Sequence, residues 1–224
     1  MPRSNFDSLP LKRSLAREYL ISFIVAVIML LASAAGIIFR DVMYPTDELL
    51  VGFVSTDLLN IVVGLPILLV SMYLARRGRL GGLLCWPGAL LYVLYIYTSY
   101  MGIPMNWMLI PHIIQIVLSA YLIIAIVSSI DSEAVRHRLD GAVPARSTGG
   151  ILFGIGVLVI AWVAVQIGTA IINQVRPERM ALIQIINDLV VGCPALVISG
   201  YLLLRRRGWG YVAGAGLLLM SSVL

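Results

Sequence analysis

Long apolar runs separated by short polar or basic stretches make up nearly the whole chain, and their lengths decide what they can be. Crossing a hydrocarbon layer of about 30 Å takes roughly 20 residues of helix. Runs of that length cover residues 19–39, 54–75, 81–101, 108–129, 150–172 and 182–204, and a shorter one covers 208–224. The pattern therefore predicts an all-α fold, a polytopic transmembrane helical bundle of about seven spans.

Inside two of these runs the pattern is broken in the same way. Asn60-Ile-Val-Val-Gly64-Leu-Pro66 and Asp188-Leu-Val-Val-Gly192-Cys-Pro194 share glycine and proline at matching positions. Each is followed by an arginine cluster and a glycine, Arg76-Arg77-Gly78 in one case and Arg205-Arg206-Arg207-Gly208 in the other. Gly/Pro-interrupted spans at corresponding places in two halves are the best pointer in sequence to a membrane-protein binding site. Both copies lie on spans with the same direction. The expected organisation is thus a parallel internal repeat of four-helix units, 19–130 and 150–224, with the last helix of the second unit missing or truncated.

Between the units, 131–149 reads as a cytoplasmic linker, beginning with a short charged helix over 131–140 and continuing as a flexible Gly/Pro-containing stretch. Residues 1–18 form a basic cytoplasmic segment in which Leu9, Leu11 and Leu15 suit either an interfacial helix or a basic tail. Ala32-Ser33-Ala34 resembles a signal-peptide cleavage site, but the apolar run continues through Phe39, which favours retention as an anchor.

Composition agrees with the pattern. Hydrophobic residues are 60%, charged residues 12% and the mean hydropathy is +0.98, where soluble domains carry about 25% charge. The net charge of +5 is explained by topology, with no nucleic acid needed. Lys and Arg stay on the cytoplasmic side of short loops. An inside N-terminus places Arg3, Lys12, Arg13, Arg17, Arg76, Arg77, Arg79, Arg136, Arg138, Arg146 and Arg205–Arg207 in the cytoplasm, leaving Arg40, Arg176 and Arg179 outside. The implied location is the cytoplasmic membrane of a prokaryote.

Proline removes a backbone donor and crowds the carbonyl four residues earlier. Pro66 and Pro194 therefore free the carbonyls of Val62 and Val190, and with Gly64 and Gly192 they form the predicted hinges. At about 1.5 Å per residue both prolines sit near the bilayer midplane. Just outward of them, Asp57 and Asn60 share one helix face, and Gln184, Asn187 and Asp188 share another. Ionisable groups within a span are costly and by default mark function.

His112, with Gln115 and Ser119 on its face, adds a titratable ring at the outer end of the fourth run, and Tyr92 and Tyr95 add hydroxyl donors from the third. The predicted ligand-binding set is Asp57, Asn60, Tyr92, Tyr95, His112, Gln184, Asn187 and Asp188. Tyr97, Tyr100, Tyr44 and Trp107 are assigned to the outer aromatic belt, and Trp86 and Trp209 to the inner one. Gly150-x-x-x-Gly154 and Gly210-x-x-x-Gly214 favour close helix packing, within the chain by default or in a homo-oligomer.

Several chemistries lack their motifs. The chain has no phosphate loop, no G-x-S-x-G elbow, no H-x-x-x-H or H-E-x-x-H metal spacing and no C-x-x-C. Cys85 and Cys193 differ in depth and read as packing residues. Neither a metal nor a cofactor is called for. The leading expectation is a protein of the lipid bilayer that binds or transports a small cation, a proton or a small solute through a polar, outward-facing cavity between the broken helices. A membrane enzyme acting on a lipid or quinone through His112 and the aspartates is the alternative, and a noncatalytic membrane subunit is a third.

Overall fold

The computed structural model describes residues 9–223. Arg3, the first part of the predicted segment 1–18 and the last residue of the closing run lie outside it. Six helices are long and apolar enough to cross a membrane. They are α1 (Ala16–Ile38), α2 (Asp47–Arg76), α3 (Leu80–Gly102), α4 (Leu109–Ser129), and, after the short α5 (Ser132–Leu139), α6 (Ala145–Ile172) and α7 (Arg179–Leu204). The chain is a multi-pass, all-α helical bundle. Its last described helix, α8 (Gly208–Val223), has 16 residues, which at about 1.5 Å each is roughly 24 Å. That is short for a bilayer core, so the described residues hold six long spans and one short helix where the expected seventh run lies.

Capping explains why several boundaries move. Thr46 accepts a hydrogen bond from the Leu49 amide at 3.3 Å, and Asp47 and Glu48 occupy the first turn, where carboxylates favour the positive helix end. α2 therefore starts seven residues before the apolar run at Val54. Asp131 caps α5 by accepting from the amides of Glu133 and Ala134 at 3.1 and 3.2 Å. α6 begins at Ala145, inside the stretch expected to be flexible. Residues 9–15 form no interfacial helix. Leu11 pairs with Ile130 in an isolated β-bridge, and Leu15 is buried.

Both broken segments take the same form, a π-helical turn over Asn60–Gly64 and again over Asp188–Gly192. The amide of Leu65 reaches back to the carbonyl of Asn60, and that of Cys193 to Asp188. Widening the turn immediately before the proline is how the helix absorbs the missing donor without fraying. The spacing between Pro66 and Pro194 recurs elsewhere. It relates Tyr73 to Tyr201, each under an arginine guanidinium, and Gly78 to Arg206, both left-handed with φ of 77° and 51°. It also relates Gly88 to Gly216, which lie backbone to backbone where α3 and α8 cross.

α3 is the centre of the bundle. It packs against α2, α4, α8 and the start of α7, and 67% of its apolar window is buried against 17–39% for the other long helices. α6 lies on α7, where Gly149 and Gly200 let the backbones approach. A Cβ at Gly150 or Gly154 would meet nothing within 4 Å. That pair faces outward, contrary to the expected packing role within the chain.

The arginine-rich ends meet on one face of the bundle. Arg13 binds Ser129 at 2.7 Å and the buried Glu18 at 2.8 Å, tying the start of α1 to the end of α4. Arg206 lies 3.6 Å from Asp140, which also accepts from Tyr211 at 3.0 Å. Glu18 reads in sequence as part of a basic tail. In the fold it is 1% exposed and lies against the Arg13 guanidinium.

Candidate functional site

α3 presents tyrosines to both broken helices, and two polar sites form around it. In the first, Asp57 is 2% exposed and accepts from Tyr44 at 2.5 Å and Tyr100 at 2.7 Å. One turn deeper, Asn60 accepts from Tyr92 at 2.9 Å and donates to Ser33 at 3.3 Å and Tyr100 at 3.5 Å. Two glycines make room. A Cβ at Gly36 would overlap the Asp57 carboxylate, and one at Gly64 would sit 2.6 Å from the Tyr92 ring. Gly64 thus acts by its missing side chain, since its backbone is ordinary right-handed helix. Burial and the adjacent Asp57 carboxylate push the Tyr44 phenol above its ordinary pKa, which keeps it a proton donor.

The second site is half-buried. Asp188 accepts from Tyr95 at 2.5 Å and from Gln184 at 3.3 Å, and Gln184 also donates to the Tyr95 hydroxyl. Asn187 anchors the start of α7 to the end of α3, donating to the Tyr95 carbonyl at 2.9 Å and to Ser99 at 3.3 Å. Its own carbonyl oxygen is buried without a partner. The hydrogen-bonding partners of Asp57 and Asp188 share no residue.

The two polar sites are thus hydrogen-bonded separately. A cleft of about 350 Å³ does lie between the broken helices, lined by Glu48, Gly52 and Thr56 of α2, Tyr95, Ser99 and Tyr100 of α3, and Glu178, Met180 and Gln184 around the start of α7. It opens at the ends of these helices opposite the arginine-rich turns. Its walls include the two tyrosines that hold the aspartates, Tyr100 for Asp57 and Tyr95 for Asp188. Neither carboxylate is itself in the cleft lining.

Several aromatic assignments change. Tyr97, Tyr100 and Tyr44 are buried donors and packing groups, not outer-belt residues. Trp86 is fully buried, stacks on Tyr19 at 4.5 Å and donates to Ser22 at 3.1 Å, so it is no inner-belt residue either. Trp107 and Trp209 are exposed, as belt residues are. Each of the buried rings has a partner for its polar tip, which is what lets it leave the interface. His112 is buried with its ring 4.7 Å from that of Tyr100 and 5.4 Å from that of Tyr97. It touches the Asp57 cluster through an aromatic face. Gln115 donates to the Val25 carbonyl at 3.0 Å, which fastens α4 to α1.

Among the described residues, no three His, Cys, Asp or Glu side chains come together in a way that could hold a metal ion. Tyr100, Tyr44 and Gly36 are the site residues that sequence reasoning missed. Tyr100 lies eight positions after Tyr92, two turns along nearly the same helix face, a usable signal; Tyr44 arrives from a loop and Gly36 from another helix, and neither has one. In comparisons with known proteins, the chain matches no family model, no curated protein and no solved structure.

Proposed function

We propose that this chain is a transporter of small cations or cationic solutes in the cytoplasmic membrane of a prokaryote. Its N-terminus is cytoplasmic, and it is built as two like halves, 19–130 and 150–224. The cleft is the outward-facing entry, and Asp188 is the charge that draws the guest in. The observation that carries this reading is the cleft wall itself. The cleft borders both broken helices and has Tyr95 and Tyr100, the donors to Asp188 and Asp57, in its lining. Buried negative charge held by neutral donors is a setting that favours a cation over an anion.

The π turns support motion in the same place. Such turns concentrate at functional sites because the widened ring can re-form its hydrogen bonds elsewhere at little cost. One lies directly below each polar site. The cytoplasmic N-terminus is supported by the gathering of the arginine-rich turns on one face, and the two-half organisation by the backbone features that recur at the Pro66 to Pro194 spacing. The enzyme alternative loses ground because His112 is enclosed by Tyr97 and Tyr100 and has no open approach for a lipid or quinone.

The test is flux into proteoliposomes, followed with a pH-sensitive dye and with sodium, potassium and methylammonium in turn. At least one cation is expected to enter, and D188N is expected to abolish that entry while the protein stays folded. Absence of flux for the whole panel, or flux unchanged in D188N, defeats the proposal.

A further inference from the structure

At the arginine-rich face each broken helix ends in a turn that sorts its arginines. After α2, Arg77 lies 4.9 Å over the ring of Tyr73. After α7, Arg205 lies 5.4 Å over Tyr201, Arg206 pairs with Asp140, and the neighbouring Arg136 pairs with Glu133 at 2.9 Å. Among the described residues, Arg79 and Arg207 have no carboxylate partner. They are separated by the same spacing as Pro66 and Pro194. Each stands at the mouth of a groove, about 580 Å³ beside Arg79 and about 850 Å³ beside Arg207.

The two grooves share a pair of residues at the mouth and differ beyond it. Leu74 and Arg79 line the first, and Leu202 and Arg207, their counterparts at that spacing, line the second. The first continues inward along Val70 and Ile67 to Pro66 and is walled by Cys85 and by Leu219 of α8. From Leu74 to Pro66 is about 12 Å of helix, an apolar trough with a single cation at one end. In the second, Trp209 stands where the first has Gly81, and four arginines surround the mouth. A trough of apolar side chains ending in an unpaired guanidinium matches one molecule class present in every membrane, an acyl chain with an anionic phosphodiester head. Arginine binds phosphate oxygens through paired donors, and basic groups at this level draw anionic lipid.

We infer that the groove beside Arg79 is an anionic-phospholipid site, with the phosphate on Arg79 and an acyl chain along the trough to Pro66. In the second groove Trp209 already fills the place that the chain takes in the first.

The full-length chain in detergent, titrated with phosphatidylglycerol and read by native mass spectrometry, is the direct test. One bound lipid per chain is expected, with phosphatidylcholine weaker by at least tenfold. R79A should weaken it by roughly fivefold, the ratio that about 1 kcal/mol per arginine implies, and R207A should leave it unchanged. Arg79 and Arg207 are both exposed, so these variants keep the fold. G81W tests the chain-binding part separately. A Cβ at Gly81 meets nothing within 4 Å, so tryptophan there fills the trough without touching backbone and should remove one lipid with Arg79 intact. R176A, outside both grooves, should change nothing. The inference is overturned by equal binding of phosphatidylcholine, by unchanged affinity in R79A or in G81W, or by displacement with glycerol phosphate at matching concentration, which would mark a free-phosphate site.

Discussion

The surroundings of Asp57 and Asp188 differ although the backbones beside them are the same. Both lie next to a π turn closed by a glycine and followed by a proline. Around the first, α1, α3 and the loop before α2 close completely, and every oxygen of Asp57 has a tyrosine donor. Around the second, one tyrosine and one glutamine serve a carboxylate that stays partly open. The motif fixes a backbone device, and the neighbours decide whether it is locked or available. By that criterion the first copy is locked, and the second is the one we propose as the working site.

The comparison breaks most visibly under D57A. Removing the carboxylate leaves the Tyr44 and Tyr100 hydroxyls buried without an acceptor, at about 1–3 kcal/mol each. A loss of roughly 3–5 kcal/mol is expected, seen as a large drop in the thermal midpoint in detergent. D188A should lower the midpoint far less, because that carboxylate is only partly buried. An equal drop in the two variants would erase the distinction.

G36A comes next. Its methyl group would overlap the Asp57 carboxylate, and the expected cost is about 1–3 kcal/mol, as for overpacking elsewhere. The closest contrast between the copies is then G64A against G192A. A Cβ at Gly64 is 2.6 Å from Tyr92, whereas at Gly192 the nearest atoms are 3.8 Å away. G64A should destabilise by about 1–2 kcal/mol, and G192A should be neutral or stabilise by a few tenths, as alanine for glycine does in a helix. Reversal of that order in thermal melts would show that the turns, not their neighbours, set the difference.

The smallest effect concerns alkaline pH. The Tyr44 phenol is raised above its unfolded value of 10.0, so its contribution is complete below that pH and is lost only as the pH climbs through the higher folded value. The difference in midpoint between the wild type and Y44F should therefore stay constant from neutral pH up to about 10. A difference that shrinks across that range contradicts the burial of this hydroxyl.

The bundle was legible because apolar length and turn chemistry are local properties. The placement of Asn60, Tyr92, Tyr95, Gln184, Asn187 and Asp188 on faces directed at other helices was legible too, since buried polar groups in a span must find partners. Depth misled at Tyr97 and Tyr100. A tyrosine near a helix end looks the same in sequence whether it faces the interface or the interior, and only the packing of α3 at the centre decides. Trp86 misled for the same reason. Tyr44 and Gly36 were invisible because their roles depend on which loop and which helix pass beside Asp57. Thr46 was readable as a cap, yet the apolar run alone put the start of α2 at Val54.

The central claim is that Asp188 works and Asp57 holds, and a paired measurement reaches it most directly. Cation entry into proteoliposomes and the thermal midpoint are measured on D188N and D57N prepared side by side. The account predicts that D188N keeps its midpoint and loses entry, while D57N loses stability. Entry that survives in D188N, or a D188N midpoint that falls as far as that of D57N, contradicts it.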